Sequence, residues 1–250
     1  MHIKKPIKKR MMIVALAVIL IVVLLAGSTI SYLIRNRSRD NVFALGDVRL
    51  SLIEDEFPQD DQSKIMAPKS VIPKNPRIVN IGSTDEYVFL KVTVPLCNVK
   101  IVNEETNTPS SAKEYREIFN LISNDTDAKA VTKPSEFNVS DTGSFTHHTK
   151  WIFISAEEDN SAHTHTYLFG YSSLLTTQAD SNETPTLFDK MQLRNILEGE
   201  LPQGDVQTVD VSAYGIQAEE LLNYIEVSDP KKVTKEELTA IFNLYQNQED

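Results

Sequence analysis

The sequence predicts an all-β chain, an antiparallel β-sandwich with a few peripheral helices behind an N-terminal export segment. Three observations carry that reading. Residues 87–102 form one long β-branched run, YVFLKVTVPLCNVKIV, of the kind that builds strands. Residues 144–155 and 163–173 are two aromatic-rich stretches joined by AEEDNSA, a hairpin pattern. Strand-like segments recur with polar loops between them, and helical periodicity is confined to short stretches.

The chain opens with Lys4, Lys5, Lys8, Lys9 and Arg10, followed by 16 consecutive apolar residues from Met11 to Ala26 and then the mostly small residues GSTIS. Basic, apolar, small is the order of a secretory signal peptide. Cleavage would fall between Ser31 and Tyr32. The 24 residues 11–34 carry no charge, so the same segment is also long enough to stay as a membrane anchor. Both readings place the body outside the cytoplasm, because the larger positive cluster precedes the apolar run.

The body is acidic. Residues 1–31 hold five of the 25 basic side chains and none of the 35 acidic ones. A surface of that sign repels phosphate backbones and argues against nucleic acid. The single cysteine, Cys97, excludes an intrachain disulfide and reads as a small core hydrophobe.

Each further element follows from its pattern. Residues 32–53 form an N-terminal strand segment, with its β-rich part at 42–53 broken by Gly46. Residues 54–76, acidic and then Pro-rich, read as a linker loop. The sandwich domain spans 77–225. Within it, residues 77–81 form a strand and Pro95 marks an edge, bend or bulge in the long run. Tyr115, Ile118, Phe119 and Ile122 recur at helical spacing and predict a short amphipathic helix over 112–123. Residues 188–197 fit strand or helix equally, and residues 206–216 alternate as a strand. Residues 219–225 and 234–245 read as helices, the second opened by a Thr234/Glu237 capping box. Residues 226–250 form a C-terminal helical tail.

Motifs of catalysis are few. There is no His-Glu-x-x-His, no Gly-x-Ser-x-Gly, no phosphate loop and no dinucleotide fingerprint, so no catalytic residue and no cofactor is assigned. Four of the five histidines fall in residues 147–165. His163 and His165 are two apart, and on one strand they would share a face, making them weak candidates for metal ligands. His147 and His148 would point to opposite faces. A hairpin turning near Asp159 sets His165 opposite residues 152–153.

The stretch AGSTISYLIRNRSRDNVFALGDVRLSL across the export segment resembles the start of the TasA/camelysin family of exported Gram-positive proteins. In that pattern a small-residue cleavage region and an aromatic mature start precede a polar segment. Phe-x-x-Gly-x-hydrophobic follows, filled here by Phe43, Ala44, Gly46, Val48 and Leu50. KNPRIVNIGSTDEYVFLKVTVP, PTLFDKMQLRNILEGEL and VSAYGIQAEEL resemble later family segments. Ser31, Tyr32 and the three arginines after them depart from the pattern.

The resemblance implies a jelly-roll sandwich, processing by a SipW-type signal peptidase, and a biofilm-matrix or cell-surface role as a fibre subunit. Its partners would be copies of itself or related matrix subunits. It implies that the N-terminal segment, with Val42, Phe43, Ala44, Gly46, Val48 and Leu50, adds as a strand to a neighbouring subunit. The other readings are folding back as the domain's own first strand, and a membrane-tethered surface binder that does not polymerise. The family's metallopeptidase label would rest on His163, His165 and a nearby Glu157 or Glu158, a set short of the usual three ligands.

Overall fold

A computed structural model describes residues 48–58, 66–139, 141–197, 207–221 and 224–249. The export segment 1–31, with Ser31, and the following residues through 47, with Tyr32, lie outside the described residues. Among the described residues no helix is long and apolar enough to cross a membrane.

The fold is all-β, with antiparallel pairing throughout its named strands. The long run becomes β4 (Glu86–Val99), the spine of a five-stranded sheet. On one side β4 pairs β10 (Thr164–Tyr171), which pairs β9 (Trp151–Asp159). On the other side it pairs β12 (Asp210–Gln217) up to Thr93 and β5 (Glu114–Glu117) from Leu96 onward. Pro95 falls in the gap between those two partners. The Leu96 N–H turns the other way, to the His163 carbonyl at 2.7 Å. Pro95's missing N–H therefore costs no ladder bond, which is how a proline sits in a central strand.

A second sheet is ordered β2 (Val71–Pro73), β11 (Lys190–Leu193), β6 (Phe119–Ile122). Two ribbons complete the set: β1 (Leu50–Ile53) with β3 (Arg77–Asn80), and β7 (Lys129–Ala130) with β8 (Thr146–His147). A core of Val88, Leu90, Phe169, Leu121 and Phe188, among others, fills the space between the sheets.

The opposite face of the large sheet is also covered. Tyr87, Phe89, Ile154 and Leu168 pack on helix α2 (Lys235–Glu249) through Leu238, Ile241 and Phe242, with Phe89 and Phe242 rings 5.1 Å apart. Burial on two faces explains why residues 86–90 do not alternate in polarity. The C-terminal helix is thus part of the packed body. Its start is the predicted capping box: the Glu237 N–H donates to Thr234 Oγ1 at 3.2 Å and the Thr234 N–H to Glu237 Oε2 at 2.8 Å. The Ser228 N–H and the Thr234 N–H, both donating to the Glu237 carboxylate, pull it down to about 2. The helix expected over 219–225 is a single turn, α1 (Ala218–Leu221), with residues 222–223 outside the described residues.

Two expectations are corrected and one open alternative is resolved. Residues 112–123 form β5 and β6, not a helix. The apolar positions fit helical spacing, but the stretch pairs as strands, β5 with β4 and β6 with β11, and tertiary pairing overrides the local pattern. The linker 54–76 contains β2, and its Lys74 and Asn75 are buried. The ambiguous 188–197 stretch contains strand β11, clasped between β2 and β6.

Candidate functional site

β1 runs antiparallel to β3 in the register Leu50↔Asn80, Ser51↔Val79, Leu52↔Ile78, Ile53↔Arg77. All four of its residues are half-buried, and Leu50 and Leu52 rest on the sandwich core. Burying them is worth on the order of 1 kcal/mol each. The other edge of β3 is closed by the 182–184 segment. There Asn80 N–H donates to the Asn182 carbonyl at 2.8 Å and Thr184 N–H to the Ile78 carbonyl at 2.9 Å. The ribbon thus has one fixed border, at 182–184, and β1 on the other side.

The turn after β1 is pinned ionically. Arg77 grips Asp55 with both terminal nitrogens, at 2.7 and 2.9 Å. The Arg77 hydrogen bond holds the Asp55 carboxyl far below the usual carboxylate range. Lys74, buried, meets Glu54 at 2.8 Å and lies over the Phe57 ring. Every one of these contacts joins residues 54–57 to residues 74–77.

Leu50 also reaches β12. A Cβ built on Gly215 would lie 2.6 Å from Leu50 Cδ2 and 2.2 Å from Glu86 Oε2. Only glycine leaves room for both groups at that point.

The histidine stretch builds something else. His165 is fully buried. Its Nδ1 lies 2.7 Å from Glu117 Oε1 and its Nε2 3.3 Å from Glu158 Oε2. Both contacts are hydrogen bonds only when each ring nitrogen carries a proton. Glu117 also accepts the Tyr167 hydroxyl and, at 2.8 Å, the Gly143 N–H. Burial and the Glu117 charge push the Tyr167 phenol far up. Glu158 accepts the Val139 N–H at 3.2 Å, and Phe137 stacks on the imidazole. Burial raises the Glu158 carboxyl, but the hydrogen bonds from Val139, Asn138 and His165 outweigh it and leave it lowered. The cluster ties β5, β9 and β10 to Phe137, Val139 and Gly143.

Beside it, Asp141 is shared by Arg116 and by Arg194, the latter at 2.7 Å, at the edge of a polar depression of about 610 Å³.

The structure does not bring the two weak metal-ligand candidates, His163 and His165, together. The hairpin turns at residues 160–163, where Asp159 Oδ1 accepts the Ser161 and Ala162 N–H groups, an Asx turn. His163 is in that turn with φ 53° and stacks on Tyr115, ring centroids 3.9 Å apart. His165 stands opposite Glu158 rather than 152–153 and faces inward, so the two rings do not converge. His147 is buried against Phe169, and His148 lies near Asp125. Among the described residues no group of three His, Cys, Asp or Glu side chains is arranged to hold a metal ion. Cys97 is buried, with Sγ 3.1 Å from Gln207 Oε1.

Of the assembly strand, Val42, Phe43, Ala44 and Gly46 lie outside the described residues. Val48 precedes β1, and Leu50 is in β1, paired with its own chain. Sequence reasoning passed over Glu86, Glu117 and Gly215. The available signal was a carboxylate at the head of an otherwise unbroken apolar strand and one at an inward strand position.

Comparison with protein-family models, with curated proteins and with solved structures returned no match for this chain.

Proposed function

We propose that this chain is an exported, non-enzymatic subunit of a cell-surface or extracellular fibre, assembled when each copy passes its N-terminal strand to a neighbour. The observation that carries the reading is the β1–β3 ribbon. β1 is the first described strand, pairs through four residues only, and covers an edge of β3 that is otherwise ready to accept a strand. Exchange of β1 restores the same ladder and the same Asp55–Arg77 and Glu54–Lys74 contacts between copies, so its net cost in contacts is small. Head-to-tail exchange does not close on itself and therefore builds a filament.

The export segment at residues 1–31 supports delivery to the exterior of a Gram-positive type of cell through a SipW-type peptidase. The resemblance to the TasA/camelysin family supports the matrix role and the jelly-roll order of the strands. An uncleaved segment 11–34 would tether the same body to the membrane.

The test is a lock. Ser51 and Val79 are antiparallel partners, with Cα atoms about 4.5–5.5 Å apart, within disulfide range. The Ser51→Cys/Val79→Cys variant, oxidised, ties β1 to its own β3. Electron microscopy should show no filaments from the oxidised protein and recovery on reduction. Filaments from the oxidised lock at the wild-type yield would end the strand-exchange reading.

A further inference from the structure

Glu86 opens β4 and is fully buried. No side chain bonds either carboxylate oxygen, and the one donor near them is the Arg49 backbone N–H. The carboxylate lies against Gly215 of β12, and the same small space is touched by Leu50 of β1. Its cross-strand partner Gln217 is also buried, with an unpartnered Oε1. β1 is therefore the cover over a buried acid that the sheet itself does not satisfy. That is an uncommon arrangement, since a buried carboxylate is normally paired or bonded.

The groups around it are few. From the β1 side comes the Arg49 backbone N–H, the one donor that favours the ionised form. Just before β4 the adjacent Asp85 is engaged with the Thr177 N–H at 3.0 Å. The Leu175 segment meets Glu86 through backbone alone, and β12 presents Gly215 and Gln217. Among the described residues no charged side chain contributes to the acid's proton affinity.

We propose that Glu86 is a proton-operated latch on β1: neutral, it lets β1 stay docked on its own β3, and ionised, it drives β1 off so that the strand becomes available to a second copy. The latch needs only the docking of β1; its consequence for assembly rests on the strand-exchange reading above.

Burial pushes the Glu86 carboxyl up to about 7 from its ordinary 4.5, against the pull of the Arg49 N–H. A raised acid stabilises the docked state fully below its ordinary value. That contribution is lost as pH rises through the raised one. β1 therefore loosens progressively as pH rises from about 4.5 to about 7 and stays loosened above that.

Hydrogen–deuterium exchange of the β1 amides, on the full chain in detergent micelles and corrected for intrinsic rates, tests this at pH 5.5 and 8.5. Wild-type protection should fall at least about tenfold at the higher pH, while the central amides of β4 stay protected. Glu86→Gln should hold β1 equally at both. Wild-type β1 protection that ignores pH, or a Glu86→Gln protein that keeps the wild-type dependence, overturns the latch. Should Glu86→Gln fold poorly, the side-chain carbon of wild-type Glu86 can be titrated by NMR. A midpoint near 7 supports the latch, and one in the ordinary carboxylate range overturns it. Filaments that the disulfide lock abolishes but whose yield is flat across this pH span would sink the latch's part in assembly and leave strand exchange intact. A pH-dependent β1 in a protein whose oxidised lock still polymerises would do the reverse.

Discussion

Replacing Glu117 with alanine is expected to cost about 3–5 kcal/mol of stability, the cost typical of breaking a buried charged network from one side. The carboxylate is 2% exposed and accepts from His165 Nδ1, from the Tyr167 hydroxyl and from the Gly143 N–H. Alanine leaves a buried phenol, a buried backbone N–H and one side of an imidazole without an acceptor, each worth about 1–3 kcal/mol when orphaned. The Gly143 bond has no substitute. A Cβ at that position would lie 2.0 Å from the Phe119 carbonyl oxygen, so the loop is already as close as a backbone can come. Glu117→Gln keeps one acceptor oxygen and should cost less, about 1–2 kcal/mol. Urea denaturation reads both. A loss under about 1 kcal/mol for the alanine variant would mean that the cluster does not hold β5, β9 and β10 to Phe137, Val139 and Gly143.

Gly215→Ala should release β1 without unfolding the sandwich. The new methyl meets Glu86 Oε2 and Leu50 Cδ2 at distances no real Cβ tolerates. Two elements can yield. β12 is bound to β4 through eight paired residues, from Asp210 to Gln217, whereas β1 is bound to β3 through four. The cheaper relief is departure of β1, which removes the Leu50 contact and leaves the Glu86 side chain room to turn aside, with an overpacking cost of about 1–3 kcal/mol. Exchange protection of residues 50–53 should collapse while that of β4 and β10 persists, and filament growth should quicken. Retention of wild-type β1 protection would place the strain elsewhere and remove β1 as the weak member.

The all-β class was legible because β-branched and aromatic runs carry their own period. The C-terminal helix was legible because Thr234 and Glu237 sit three apart at its start. The docking of that helix is written in residues 86–90, whose unbroken burial needs a cover on each face, yet nothing local names the cover. The misread helix at 112–123 shows the limit of periodicity. Tyr115, Ile118, Phe119 and Ile122 satisfy helical spacing, but Glu117 is fixed by His165, Gly143 and Tyr167, partners 26 to 50 residues away. His163 and His165 failed as a pair because an Asx turn at Asp159 took the first out of the strand. Glu86 and Gly215 were invisible for the same reason as Glu117: what makes them matter is a contact with β1, more than thirty residues earlier in the chain.

Strand exchange itself is tested most directly by mixing two single-cysteine variants, Ser51→Cys and Val79→Cys, under assembly conditions and oxidising the product. Position 51 of one copy and position 79 of another come together only if β1 has crossed between copies. The account predicts a covalent heterodimer, verified by peptide mass analysis as a 51–79 disulfide. Filaments that form in the mixture without any 51–79 crosslink would contradict it.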